Sequence, residues 1–231
     1  MRTFFTALGI VLYLIYSLIL ILISKFLRGE TKQKFITKQV TMFAKTAFKL
    51  TGSKIEVKGL ENIPDGPVLF VSNHQSNFDI PIFLGYLNKP LGFIAKKEME
   101  KIPILSTWMR YIHCVFMDRS NVRNAVKSIN DGIKILKNGH SLMVFPEGTR
   151  SHDGKIGEFK PGSFKLATNS GVPIVPVTIS GSIDIMPKNK VEVRKANVKV
   201  VVGKPIEVSS EDKKKTPELA EKVREIIKEN L

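Results

Sequence analysis

Between Arg2 and Lys25 the chain runs for 22 residues without a charge, TFFTALGIVLYLIYSLILILIS, and no other segment restricts its folding as strongly. As a helix the run is about 33 Å long at 1.5 Å per residue, close to the ~30 Å hydrocarbon thickness of a bilayer. It exceeds a signal-peptide apolar core, and no small-x-small cleavage site follows it. Membrane insertion is the expectation, with a buried core helix as the alternative. Arg2 on one flank against Lys25 and Arg28 on the other favours a cytoplasmic C-terminal side.

The next segment, Thr31 to Leu50, differs in kind. Ile36, Val40, Phe43, Ala47 and Leu50 step by four, three, four and three, which is one helical stripe, and Lys32, Lys34, Lys38, Lys45 and Lys49 surround it. A basic amphipathic helix after an apolar one suggests a membrane-embedded pair, the second lying in the interface. The alternative is a helix packed on a globular domain. The expected division is therefore residues 1–51 as membrane-anchoring helices and residues 52–231 as an α/β domain.

Charge bounds the partners. Lys and Arg number 36 against 21 Asp and Glu, a formal net charge of +15. Such a balance favours an anionic membrane, a phosphorylated substrate or nucleic acid. Few aromatics stand among the lysines, and the apolar N-terminus suits a membrane, so nucleic acid is not expected as a partner. The lone Cys114, in the apolar stretch HCVFM, excludes an internal disulfide and reads as a core residue.

From Gly52 onward the pattern alternates. Strands are expected at Lys54–Lys58, Val68–Val71, Leu91–Ala95, His113–Met117, Ser141–Phe145 and Ile174–Ile179, with a late strand or pair within Val191–Val202. Helices are expected at Asp79–Leu87, along Val122–Leu136 and from Thr216 to Asn230, the last with Pro217 in its first turn. The fold class is α/β: a mostly parallel central sheet flanked by helices, preceded by the N-terminal helix pair.

Three polar clusters follow apolar strands, where α/β proteins hold their ligands. The first is Ser72-Asn73-His74-Gln75-Ser76-Asn77 with Asp79 just beyond. On one continuous helix His74 and Asp79 would diverge by about 140°. Across a loop entering a helix the carboxylate can reach an imidazole nitrogen, and a His so held is a general base. Asp79 as a plain helix cap is the alternative, and both roles are compatible. The second cluster is Phe145-Pro146-Glu147-Gly148-Thr149-Arg150-Ser151, where Gly permits close approach to a ligand and Arg matches a phosphate bidentately. The third is Phe116-Met117-Asp118-Arg119. If the strands are parallel, one sheet edge gathers a base and two arginines, which suits a hydroxyl nucleophile on a phosphorylated molecule. The four histidines and one cysteine form no metal-binding pattern, and no metal is expected. G-x-S-x-G and Gly-rich nucleotide loops are lacking.

These motifs resemble those of the glycerolipid acyltransferase family, in its 1-acylglycerol-3-phosphate acyltransferase branch. N-H-x-x-x-x-D is matched by Asn73, His74 and Asp79, and F-x-D-R by Phe116, Asp118 and Arg119. F-P-E-G-T-R-S is matched by Phe145 to Ser151, and V-P-I-x-P-V by Val172 to Val177. Ala95-Lys96-Lys97-Glu98-Met99 and Phe159-Lys160-Pro161-Gly162 also match family segments, the former with Met where Leu is common. The resemblance spans roughly residues 52–181, with the motifs in family order.

It implies transfer of an acyl chain from acyl-CoA or acyl carrier protein to lysophosphatidic acid (1-acylglycerol 3-phosphate), giving phosphatidic acid in phospholipid synthesis without a cofactor. His74 and Asp79 are then catalytic. Lys96, Arg119, Glu147, Gly148, Thr149 and Arg150 are the substrate-binding set, Glu147 either organising Arg150 or touching the glycerol. The setting implied is the cytoplasmic (inner) membrane, with the site facing the cytoplasm. Alternatives are an acyltransferase for glycerol 3-phosphate or another lysophospholipid, and a non-enzymatic binder of anionic lipid or nucleic acid.

Overall fold

In a computed structural model, described for residues 1–118, 120–209 and 211–231, the strand-sized apolar runs assemble into one sheet. Its strands are β1 (Lys54–Lys58), β2 (Leu69–Ser72), β3 (Leu91–Lys96), β4 (Val115–Met117), β5 (Ser141–Val144), β6 (Ile174–Ser180) and β7 (Asn197–Val202). They lie in the order β1-β7-β6-β2-β5-β3-β4. The run β6-β2-β5-β3-β4 is parallel; β7 pairs antiparallel with β6 and parallel with β1. Five strands therefore end on one edge. The late segment shortens to a single strand, with residues 191–196 outside it.

Helices cover both faces, and the period-two alternation of the strands divides their side chains between two cores. Phe70, Phe93, Met143, Val175 and Val177 point to one core; Leu69, Val71, Ile94, Leu142 and Ile174 point to the other. Being covered on both faces makes these strands continuous apolar runs rather than alternating ones. The first core is roofed by α2 (Gly29–Leu50), α3 (Asp79–Tyr86) and α4 (Pro103–Tyr111), and α1 (Arg2–Phe26) packs outside α2 and α4 through a smaller cluster of Leu20, Ile36, Val40 and Trp108. The second is closed by α5 (Val122–Lys137), α6 (Lys165–Ser170) and α7 (Thr216–Glu229).

The helix pair shares this architecture. Phe48 of α2 sits in the first core, and Ala44 and Lys45 lie close against Gly85 of α3. On its other side α2 meets α1, where Phe43 packs on Tyr13 with ring centroids 5.2 Å apart. Contact on two sides explains why Ala44 and Phe48 are buried alongside Ile36, Val40 and Ala47, while Leu50, on the expected stripe, is exposed.

The outermost helix, α1, is attached along its whole length. Thr3 Oγ1 accepts from the Val193 N–H (3.0 Å) and Thr6 Oγ1 donates to the Leu50 carbonyl (3.1 Å). Ser17 Oγ accepts from Trp108 Nε1 (3.0 Å), and Ser24 Oγ donates to the Tyr111 hydroxyl (3.2 Å). With Ile10, Tyr13 and Leu20, these residues step by three and four along one stripe. The opposite stripe, Phe5, Leu8, Leu12, Ile15, Ile19 and Leu22, is exposed.

Candidate active site

The first motif lies on the loop between β2 and α3, and its shape comes from side chains answering backbone groups. Asn73, buried, bonds both backbone groups of Ile179 on β6: its Oδ1 accepts from the N–H (2.9 Å) and its Nδ2 donates to the carbonyl (2.8 Å). Asp79 is fully buried. Its Oδ2 accepts from His74 Nδ1 (2.8 Å), the Gln75 N–H (2.7 Å) and the Ser76 N–H (3.0 Å), and its Oδ1 accepts from the Ser182 hydroxyl. The carboxylate therefore reaches back over the loop instead of capping the helix ahead of it. A buried charge needs this many donors.

With Nδ1–H given to Asp79, the lone pair of His74 lies on Nε2. The His74 ring stacks on Phe145 at 4.0 Å and 16°, so its plane is fixed from below as well as from the side. The side chain keeps 17% of its surface exposed.

The second cluster is bonded to the first. Glu147 Oε1 accepts from the His74 N–H (2.8 Å), and the His74 carbonyl accepts from the Ser151 N–H (2.8 Å). Glu147 Oε2 accepts from the Gly157 N–H (2.9 Å). Glu147 is buried, and burial pushes its carboxyl up from the ordinary range, against the lowering pull of the Gly157 and His74 N–H groups. Both of its oxygens thus hold backbone, where the sequence suggested Arg150 or glycerol. Gly148 adopts φ +72°, a conformation that favours glycine, and turns the chain so that Thr149 is exposed and Arg150 half-buried.

A Glu147→Gln change must aim an amide NH2 at one of those two backbone donors. We expect a stability loss of about 1–3 kcal/mol, measured by urea denaturation. Ionisation of a carboxyl raised by burial opposes folding, so the parent's Glu147 contribution weakens as pH rises from below its unfolded pKa through its folded one. The pH dependence of stability across that interval should be smaller in the variant.

The third cluster is partly described. Asp118 accepts from the Ser120 hydroxyl (2.6 Å) and N–H (3.0 Å), from Lys97 Nζ (3.1 Å) and from Asn124 Nδ2 (3.2 Å). These donors, Ser120 first, hold its carboxyl well below the usual carboxylate range. Asp118 thus shapes the loop between β4 and α5. Arg119 lies outside the described residues. Lys96, the last residue of β3, is exposed on the same sheet edge, 3.4 Å from Glu98. Among the described residues no three metal-type ligands come together.

Two residues join the site without a motif to announce them. Ser182 follows Gly181 at the end of β6; Gly181 has φ +81°, and a Cβ there would collide with the Asn197 carbonyl. Lys188 Nζ donates to Thr149 Oγ1 (2.9 Å). A small polar residue after a strand was the only signal for Ser182. A lysine in a chain with so many gave none.

The edge therefore carries an imidazole oriented by a buried carboxylate beside a Gly-Thr-Arg turn. The family model described as Acyltransferase matches residues 54–180. A chloroplastic 1-acyl-sn-glycerol-3-phosphate acyltransferase of Arabidopsis thaliana is 41% identical over 69% of this chain, and the match spans 45% of that protein. A probable 1-acyl-sn-glycerol-3-phosphate acyltransferase of Mycoplasma pneumoniae is 39% identical over 78% of this chain and 67% of its own length. The solved structure of the 1-acyl-sn-glycerophosphate acyltransferase PlsC from Thermotoga maritima superposes with a TM-score of 0.86 at 34% identity, covering 99% of this chain and 94% of that one. The matched segment holds the parallel strands and both bonded polar loops, and by these likenesses the chain belongs to the acyltransferase family.

Proposed function

We propose that the protein transfers a fatty acyl chain from an acyl thioester to the sn-2 hydroxyl of 1-acylglycerol 3-phosphate, forming phosphatidic acid. The observation that carries this reading is the His74–Asp79 pair, with Nε2 turned from the carboxylate, on the edge that holds Thr149 and Arg150. His74 Nε2 takes the hydroxyl proton as the oxygen attacks the thioester carbonyl. The C–S bond breaks, and the imidazolium returns the proton to the departing thiolate. Asp79 keeps the imidazole in its tautomer and balances the imidazolium. Arg150 and Thr149 hold the phosphate, with Lys96 and Arg119 as further cations. Glu147 acts through the His74 backbone, a positioning role. The donor is acyl-CoA or acyl carrier protein, and no cofactor takes part.

The N-terminal helix is long and apolar enough to cross a membrane, but a different seating fits its contacts. Both ends bond the same domain, through Thr3 and through Ser24. We propose that α1 lies along one leaflet, its exposed stripe in lipid, and brings the sheet edge to membrane-borne substrates. The N-terminal anchor of residues 1–51 and the domain of residues 52–231 then act as one body on the membrane. We assign it to the cytoplasmic face of the cytoplasmic membrane, where acyl thioesters are supplied.

Acceptor discrimination tests the reading. Purified protein in detergent, given a long-chain acyl thioester, should acylate 1-acylglycerol 3-phosphate in preference to glycerol 3-phosphate or 1-acylglycerophosphocholine. A preference for either of the others would reassign the acceptor.

Ser182→Ala removes a donor to a fully buried carboxylate. We expect about 1–3 kcal/mol less stability and a kcat lower by roughly tenfold, since small misplacements of a base are costly. Thermal melts and initial rates check both, and an unchanged kcat would remove Ser182 from the positioning of Asp79.

A further inference from the structure

The segment after β6 is tied down at several points along its length. Ser182 bonds Asp79, and Ser76 Oγ donates to the Met186 carbonyl (3.0 Å). The Arg194 N–H donates to the Ile185 carbonyl (2.8 Å), closing the loop, and the Val193 N–H reaches Thr3 of α1. Between these ties a turn, with the Lys190 N–H donating to the Pro187 carbonyl (3.1 Å), projects Lys188 onto Thr149. The loop is therefore pinned to the catalytic loop on one side and to the membrane helix on the other.

The ammonium of Lys188 meets a neutral hydroxyl there, and among the described residues no carboxylate lies within ion-pairing distance of it. Two other lysines differ: Lys96 lies near Glu98 and Lys97 pairs with Asp118. A phosphate monoester carries about −1.5 to −2 charges at neutral pH, more than the single guanidinium of the Gly148–Arg150 turn balances, and Lys188 is a cation bonded to that turn. We propose that Lys188 is a phosphate-binding, specificity-determining residue, clamping the acceptor's phosphate together with Thr149 and Arg150. This deepens the reading of the site as an acyltransferase for a phosphate-bearing acceptor and rests on it. The ammonium leaves Thr149 Oγ1 for a phosphate oxygen, an exchange of a neutral for a charged acceptor.

The test compares the parent with Lys188→Gln and Lys188→Arg in mixed micelles. Binding is measured on a His74→Ala background by titration with 1-acylglycerol 3-phosphate and, separately, with uncharged 1-acylglycerol; steady-state rates are measured with His74 intact. For Lys188→Gln we expect affinity for the phosphate-bearing lipid to fall about tenfold or more, the loss of one charge-assisted hydrogen bond. KM should rise in parallel with kcat within about twofold, as for a uniform-binding residue. Uncharged 1-acylglycerol should bind as in the parent, and Lys188→Arg should recover most of the loss. Equal affinity and KM in Lys188→Gln and the parent would overturn the proposal. So would equal weakening toward both lipids, which marks a fault in the fold. If the parent binds the phosphate-bearing lipid but forms no phosphatidic acid, the reaction assignment fails, while the binding comparison still decides the role of Lys188.

Discussion

His74→Ala should lower kcat for phosphatidic acid formation by roughly 10²–10⁴-fold, the range supplied by a positioned general base, in a protein that remains folded. Alanine removes the ring but not the loop. Asp79 still accepts from the Gln75 and Ser76 N–H groups and from Ser182, and the residue 74 backbone still bonds Glu147 and Ser151. The Gly148–Arg150 turn, proposed to hold the phosphate, is untouched, so KM for the acceptor should change little. Initial rates beside a thermal melt separate chemistry from folding. A folded variant within tenfold of the parent would show that the hydroxyl proton goes elsewhere.

The second large effect concerns the membrane. Leu12→Glu combined with Ile19→Glu places two charges on the exposed stripe of α1, where the parent side chains are 57% and 56% exposed. In water the substitutions cost little, because neither residue belongs to a core. In a bilayer they forfeit the burial of two aliphatic side chains, about 1.5–3 kcal/mol each. Vesicle partitioning should weaken by at least about 100-fold, with thermal stability near that of the parent. Activity on vesicle-borne acceptor should fall with it, whereas activity in detergent micelles should persist. Flotation with liposomes reads the binding directly. Unchanged flotation would mean that another surface meets the lipid.

Both predictions use features that stand openly in the sequence. His74 and Asp79 are legible because strand, polar loop and helix follow one another within a few residues, so local geometry brings the partners together, and Phe145–Ser151 is legible because it directly follows an apolar strand. The strand-end edge follows from the same pattern. The role of Glu147 was not legible, because its partners are backbone N–H groups, one of them at Gly157, ten residues on. Ser182 and Lys188 come from a distant segment, and their placement depends on β6 lying beside β2, an order no local pattern encodes. The reversed β7 and β1 were equally hidden. The polar stripe of α1, from Thr3 through Ser24, was visible letter by letter. Four hydroxyl and small polar residues in an apolar helix are individually unremarkable, and only their shared face, bonded to one domain, argues for a helix that lies flat.

Acyl transfer to the acceptor is tested by following the acyl group itself. Purified protein is given 1-acylglycerol 3-phosphate and an acyl thioester with an isotopically labelled chain, and the products are resolved by mass spectrometry. We expect phosphatidic acid with the label confined to the sn-2 chain. Labelled free fatty acid with no labelled phosphatidic acid would contradict it, because the edge around His74 would then activate water and not the acceptor's hydroxyl.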